Sequence, residues 1–331
     1  MDASLFSFAP HPRRARGLRE GLERQLCASF ASLLEAIETG LSLEPGRLAS
    51  LAPTVSQTSP LSSRAYASHW QLGRAVESNL HDLIVPALRE MSRGWHDRFG
   101  LVVATHRGDF LDHAAQAYLD SREGQRLRRP ARTDGSDQPP DLRGLPAAEL
   151  SELAPALYQA AERIKELDPG MADEMQEYVR QVRLVDSDVI GGMSSLRFFG
   201  VIFLSRPRAV EANELEERLF GGLVHETSHL HLHALMATDP LVLNGDERFD
   251  SPLRKDKRPM LGIYHATFVL ARLTLMFGRW HQTDPGRESV AQQLSDAQTR
   301  LARGVATIRA HAHLTQRGTE LLNSIERPAV L

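Results

Sequence analysis

The chain has 331 residues, of which 42% are hydrophobic and 24% charged, a globular composition long enough for one large domain or two smaller ones. Its 39 basic and 42 acidic side chains leave a formal charge of -3, which gives no case for nucleic acid or an anionic membrane surface as a partner. One cysteine, Cys27, excludes an internal disulfide framework and a thiolate metal cluster, and fits a reducing compartment.

The opening residues MDASLFSFAPHPRRARGLRE lack the charged start, unbroken apolar run and small-residue cleavage site of a secretory leader, and no unbroken apolar stretch reaches about 18 residues. A soluble cytoplasmic protein is expected. The basic side chains are nearly all arginine, with lysine at Lys165, Lys255 and Lys257, a habit common in GC-rich bacterial genomes.

From Arg14 to Gly40 the apolar positions Leu18, Leu22, Leu26, Phe30, Leu33 and Leu34 recur at helical spacing, and a Ser/Thr/Pro-bearing loop follows. Helical patterns return over 64–93 and 108–122, so residues 1–123 are expected to form a helical N-terminal region. Residues 124–145 have few apolar side chains and several breakers, which predicts a loop or linker with solvated arginines. Residues 146–331 form the remaining region, which we read as part of one integrated protein. It opens with helix over 146–167 and on to about 183. Short β-branched and apolar runs, Val182 to Ile190 and Leu196 to Leu204, then predict two or three strands. Helix is predicted again over 211–236, 260–281 and 287–324, with a polar loop over 239–259. The expected fold is mainly α with a small β-sheet, an α+β arrangement in which the helix over 211–236 packs beside the short sheet.

That helix carries His225-Glu226-Thr227-Ser228-His229. Histidines four apart lie one turn apart on the same face, so both imidazoles can reach one ion, and the adjacent Glu226 can address a metal-bound water. His231 and His233 are expected to point away from this pair or to graze it, in an outer or surface role. No glycine and histidine stand at the places of the longer metzincin pattern, and no downstream glutamate motif of the thermolysin type is present. The apolar helix GIYHATFVLARL supplies His265 as the candidate third ligand, against the alternative of a packed core histidine. In the loop between the two helices, Arg254 and Arg258 can form the forked, bidentate contacts that a carboxylate needs, or lie solvated within a charge cluster.

The block HETSHLHLHALMATDP, the SPLR and RP loop segments and the GIYHATFVLARL helix, in this order, resemble the HExxH-type family of bacterial peptide natural-product gene clusters, whose members are described as alpha-ketoglutarate-dependent peptide beta-hydroxylases. The resemblance covers residues 197–280 and, more loosely, the N-terminal helices with HPRRARGLRE. It implies iron(II) rather than zinc, with alpha-ketoglutarate and O2 as cosubstrates and a ribosomally made precursor peptide as the partner. It assigns His225, His229 and His265 to the metal and Arg254 or Arg258 to the keto acid, with Glu226 or Asp250 as the alternative third donor. The rival expectations are a zinc metallopeptidase with Glu226 as general base, and a non-catalytic helical module that binds a peptide.

Overall fold

The computed structural model describes residues 6–327 except 57, 79, 92–93, 122–123, 125–141, 208–213 and 252–255. Its helices are α1 (Pro12–Gly40), α2 (Ser63–Ser78), α3 (Ile84–Met91), α4 (Phe110–Asp120), α5 (Ala147–Leu167), α6 (Pro169–Tyr178), α7 (Leu215–Met236), α8 (Met260–Thr283), α9 (Glu288–His311) and α10 (Gln316–Glu326). The strands are β1 (Val102–Thr105), β2 (Arg143–Gly144), β3 (Gln181–Asp186), β4 (Gly192–Met193), β5 (Val201–Ser205), β6 (Arg248–Phe249) and β7 (Arg258–Pro259). The fold is mainly α with a small sheet, as the sequence leads one to expect.

The chain divides into two compact units. One comprises Gly17–Ala154 and Gln176–Arg206; the other comprises Met1–Arg16, Pro155–Met175 and Pro207–Leu331. The sheet belongs to the first unit and the motif helix α7 to the second. The predicted linker falls almost wholly on residues outside those described.

In the first unit the sheet runs β1-β3-β5-β4, with β1, β3 and β5 parallel, β4 antiparallel to β5, and β2 antiparallel to β3. Val182 pairs with Val103 on one side and Ile202 on the other. Two strands lie outside the stretch where the sequence predicts them. Four residues such as Val102–Thr105 are too few for periodicity to separate strand from loop, and β3 supplies the pairing that makes them one. Phe198, Val201, Phe203 and Val185 pack against Leu111, Ala115 and Tyr118 of α4. The helix predicted over 64–93 is divided into α2 and α3, and Pro86 sits in the first turn of α3, where its missing N–H costs nothing.

A buried ion cluster ties α4 to the central strand. The Asp109 side chain accepts from Leu111 N and Asp112 N in a reciprocal cap. The Arg183 guanidinium on β3 donates to both Asp109 oxygens at 2.8 Å and also to Asp112, which is fully buried. Burial pushes the Asp109 carboxyl up, but the bonds from Arg183 outweigh it and hold the group at about 2.

In the second unit α7 and α8 pack together and α9 lies along α8. Phe220 meets Trp280 edge-on at 4.7 Å, and a Cβ on Gly221 would already touch the Phe277 ring at 3.4 Å, so a small residue there sets how closely the two helices approach. The single helix predicted over 287–324 is interrupted. Val242 bridges to Leu314, Thr315 N donates to Leu241 O, and the Thr315 side chain caps α10, so pairing with the Asp239–Asn244 turn outcompetes one continuous helix. Gly318 makes this possible, because a Cβ there would lie 2.1 Å from Leu241 O.

Arg183→Ala strands the Asp112 carboxylate without its cation and should cost about 3–5 kcal/mol, read from urea unfolding. The Asp109 contribution is fully present above its ordinary pKa and is lost as pH falls toward about 2. The wild-type protein should therefore show an acid-dependent loss of stability between about pH 4 and 2 that the variant lacks. An unchanged acid limb in Arg183→Ala would remove Asp109 from this role.

Candidate metal centre

Helix α7 is buried on most sides, through Leu219, Phe220, Leu223, Val224, Leu230, Leu232 and Leu235, and this marks it as a central helix rather than an amphipathic surface one. Glu216 and Glu217 in its first turn complement the helix dipole, and Arg287 donates to Glu217 Oε1 at 2.5 Å. One polar stripe interrupts the apolar surface. His225, His229 and His233 succeed each other by one turn and are each half-buried.

The Nε2 atoms of His225 and His229 are 3.2 Å apart, with ring centroids at 4.8 Å and an interplanar angle of 66°. Two nitrogens bound at ~2.1 Å to one ion lie about 3.0–3.4 Å apart at octahedral or tetrahedral angles. The separation of the pair falls within that range. Desolvation by packed protein atoms lowers His225 to about 4, although 38% of its side chain still meets solvent, so the ring is neutral at pH 7 and keeps an open edge. His229 lies well below its ordinary value, first through desolvation and then through repulsion from His225, His265 and His233. Neutral imidazoles are the protonation state that a metal requires.

The third donor is not in place. His265 on α8 stacks on His229 at 5.7 Å and lies 4.9 Å from His233, but its Nε2 rests 3.0 Å from the Met236 sulfur. Desolvation and then His233 lower it to about 3. Among the described residues no three histidine, cysteine or carboxylate side chains converge on one point. The buried Glu226 carboxylate lies 4.0 Å from His225 Nε2.

Of the arginines, Arg254 lies outside the described residues. Arg258 stands in β7 with the Asp256 carboxylate 3.5 Å from its guanidinium, and Asp250 is exposed. His231 turns away from the stripe, but it has no surface role. It is fully buried, stacked on Phe268 at 5.9 Å, with Nδ1 3.4 Å from Glu174 Oε1. His233, expected to point away or graze, lies 6.3 Å from His229 and closer still to His265.

Two residues escape sequence reasoning, Glu174 and Met236. Glu174 stands on a short helix with nothing in its neighbourhood to mark burial, and Met236 closes a run that reads as core. Both are recognisable only once α6, α7 and α8 are assembled.

Helix α8 is long and apolar enough to cross a membrane by length and composition, but 72% of its most apolar window is buried inside the protein, as in a core helix. The chain matches no protein-family model and no curated protein.

Arg272 donates to Glu174 from within the same buried cluster, with neither side chain exposed. Glu174→Gln preserves shape but leaves the guanidinium without its counter-charge, and should cost about 3–5 kcal/mol in urea unfolding. Glu174→Gln combined with Arg272→Met should recover much of that loss. A double variant no better than the single would show that the pair is not the source of the cost.

Proposed function

We propose that the protein is an iron(II)- and alpha-ketoglutarate-dependent oxygenase that hydroxylates the beta-carbon of a residue in a ribosomally made peptide. The observation that carries this reading is the pair of neutral imidazoles on one buried helix, with nitrogens 3.2 Å apart. The choice of iron over zinc rests on the resemblance to the HExxH-type hydroxylase family carried by the motif helix, the arginine loop and the His265 helix in that order.

His225 and His229 would hold the metal through two nitrogens, and His265, which stacks on His229 and rests on the Met236 sulfur, would be the third protein ligand. Three protein donors leave positions for a chelating keto acid and for oxygen. Bound iron with the keto acid supplies oxygen activation coupled to oxidative decarboxylation, yielding succinate and carbon dioxide while one oxygen atom enters the substrate C–H bond. Arg254 or Arg258 pairs with the distal carboxylate of the keto acid, a bidentate task suited to a guanidinium. Glu226, buried beside His225, would accept a hydrogen bond from a water on that metal.

A zinc peptidase is the second reading, favoured by the position of Glu226 4.0 Å from His225 Nε2, where a carboxylate can deprotonate a metal-bound water. Glu226→Gln separates the two. It should abolish hydrolysis by a zinc enzyme and leave measurable hydroxylation by an iron one.

Anaerobic addition of iron(II) and alpha-ketoglutarate should give a weak visible charge-transfer band, and admission of air should give succinate. His225→Ala and His229→Ala should each lose both signals, and loss of the keto-acid anchor, through Arg254→Ala or Arg258→Ala, should raise the apparent KM for alpha-ketoglutarate. Stoichiometric zinc with no keto-acid response would replace the oxygenase by the peptidase, and no stoichiometric metal of either kind would leave a peptide-binding module.

A further inference from the structure

The segment of residues 6–11 precedes α1 and lies against α6, α8 and α10 of its own unit. Burial alternates along it: Phe6 and Phe8 are 3% and 7% exposed, whereas Ser7 and Ala9 meet more solvent. The Arg317 guanidinium of α10 lies 5.2 Å from the centre of the Phe6 ring, and Phe8 N–H donates to Ser324 Oγ at 3.0 Å. Two aromatic anchors and a backbone bond thus seat the segment.

The same residues complete a buried ion pair. Arg272 donates to Glu174 through both Nη atoms and to Phe8 O through Nε at 2.9 Å. His11 N–H donates to Glu174 Oε2 at 3.2 Å. Neither charged side chain is exposed, so with the segment undocked Arg272 Nε–H loses its acceptor and Glu174 Oε2 its backbone donor. A buried donor without an acceptor is among the costlier defects of a packed core, and its relief requires water or movement within the cluster. Glu174 also meets His231 Nδ1 at 3.4 Å, and His231 stands two residues after His229 on α7. Contacts therefore run from Phe8 through Arg272 and Glu174 to the helix that presents His225 and His229.

We propose that residues 6–11 act as a latch whose docked state holds the α7 histidines in register for a metal, so that docking of the segment and ion binding at His225 and His229 reinforce each other. The latch presupposes that this pair is a metal site, as the oxygenase reading has it, and depends on neither iron nor the keto acid. Linkage makes the reinforcement reciprocal: the factor by which docking raises metal affinity is the factor by which the metal stabilises docking.

The test uses the full-length protein, Co(II) as the ion, and amide hydrogen exchange beside the binding titration. In the wild type, saturating Co(II) should slow exchange at the Phe8 amide about fivefold or more, and in the double variant His225→Ala with His229→Ala it should leave that amide unchanged. A contact that only stabilises the fold would not respond to the ion, and this comparison needs no change to the latch itself. Phe8→Ala removes one anchor and should weaken Co(II) binding by about fivefold while speeding exchange of the α7 amides around His231; Phe8→Leu keeps an apolar anchor and should restore most of both. Co(II) bound at the pair with a Phe8 amide indifferent to it, or α7 exchange and Co(II) affinity unchanged in Phe8→Ala, would overturn the latch alone. No Co(II) bound by the wild type would overturn the metal pair itself, and the coupling with it.

Discussion

The Glu174 carboxylate, with no exposure of its own, accepts from the Arg272 guanidinium of α8 and from the backbone N–H of His11, and lies 3.4 Å from His231 Nδ1 on α7. An isolated carboxylate would not remain ionised in such a place, and the guanidinium is what makes burial tolerable. Arg272 in turn donates through Nε to Phe8 O and lies over the Phe268 ring. One charge pair thus fastens α6, α7, α8 and the N-terminal segment within the same unit. The consequence for the histidine stripe is geometric. His231 follows His229 by two residues, about 200° around the helix, so fixing His231 against Glu174 fixes the rotation of α7 and turns the His225, His229 and His233 stripe the opposite way. Arg272 lies two turns beyond His265 on α8, so the same carboxylate also sets the angular position of His265.

The stripe is costly by the same reasoning. Desolvated imidazoles crowded onto one face cannot be charged together, and the proximity of His225, His265 and His233 pushes His229 further down than burial alone. A helix built for stability would have apolar side chains there. Crowded neutral nitrogens with an accessible edge are what a metal stabilises, since an ion replaces mutual repulsion by shared coordination. His231 shows the contrast. It is the most buried of the α7 histidines described here, and its partner is a carboxylate rather than another ring.

Much of this was legible in the sequence, and the limits have physical causes. The helical repeat fixed α1, α4, α7 and α8 because their apolar faces recur over several turns. It overran the break between α9 and α10 because Thr315 caps a new helix through contacts with Leu241 and Gly318, which no local pattern records. β3 and β5 announced themselves by β-branched runs, whereas β1 and β2 exist through their pairing with β3. At the site, the four-residue spacing was enough to bring His225 and His229 together. The nearness of His233 to His265, and of the Met236 sulfur to His265, depends on how α7 and α8 pack, which the Glu174 cluster helps to set.

His265 has two neighbours of different chemistry. Its ring stacks on His229 at 29°, near enough to turn toward the His225 and His229 pair, yet its Nε2 rests 3.0 Å from the Met236 sulfur. A single Nε2 serves one partner at a time, so turning the ring toward that pair would release the thioether. Helix α8 need not move for this exchange, since rotation of one imidazole on a rigid helix is sufficient.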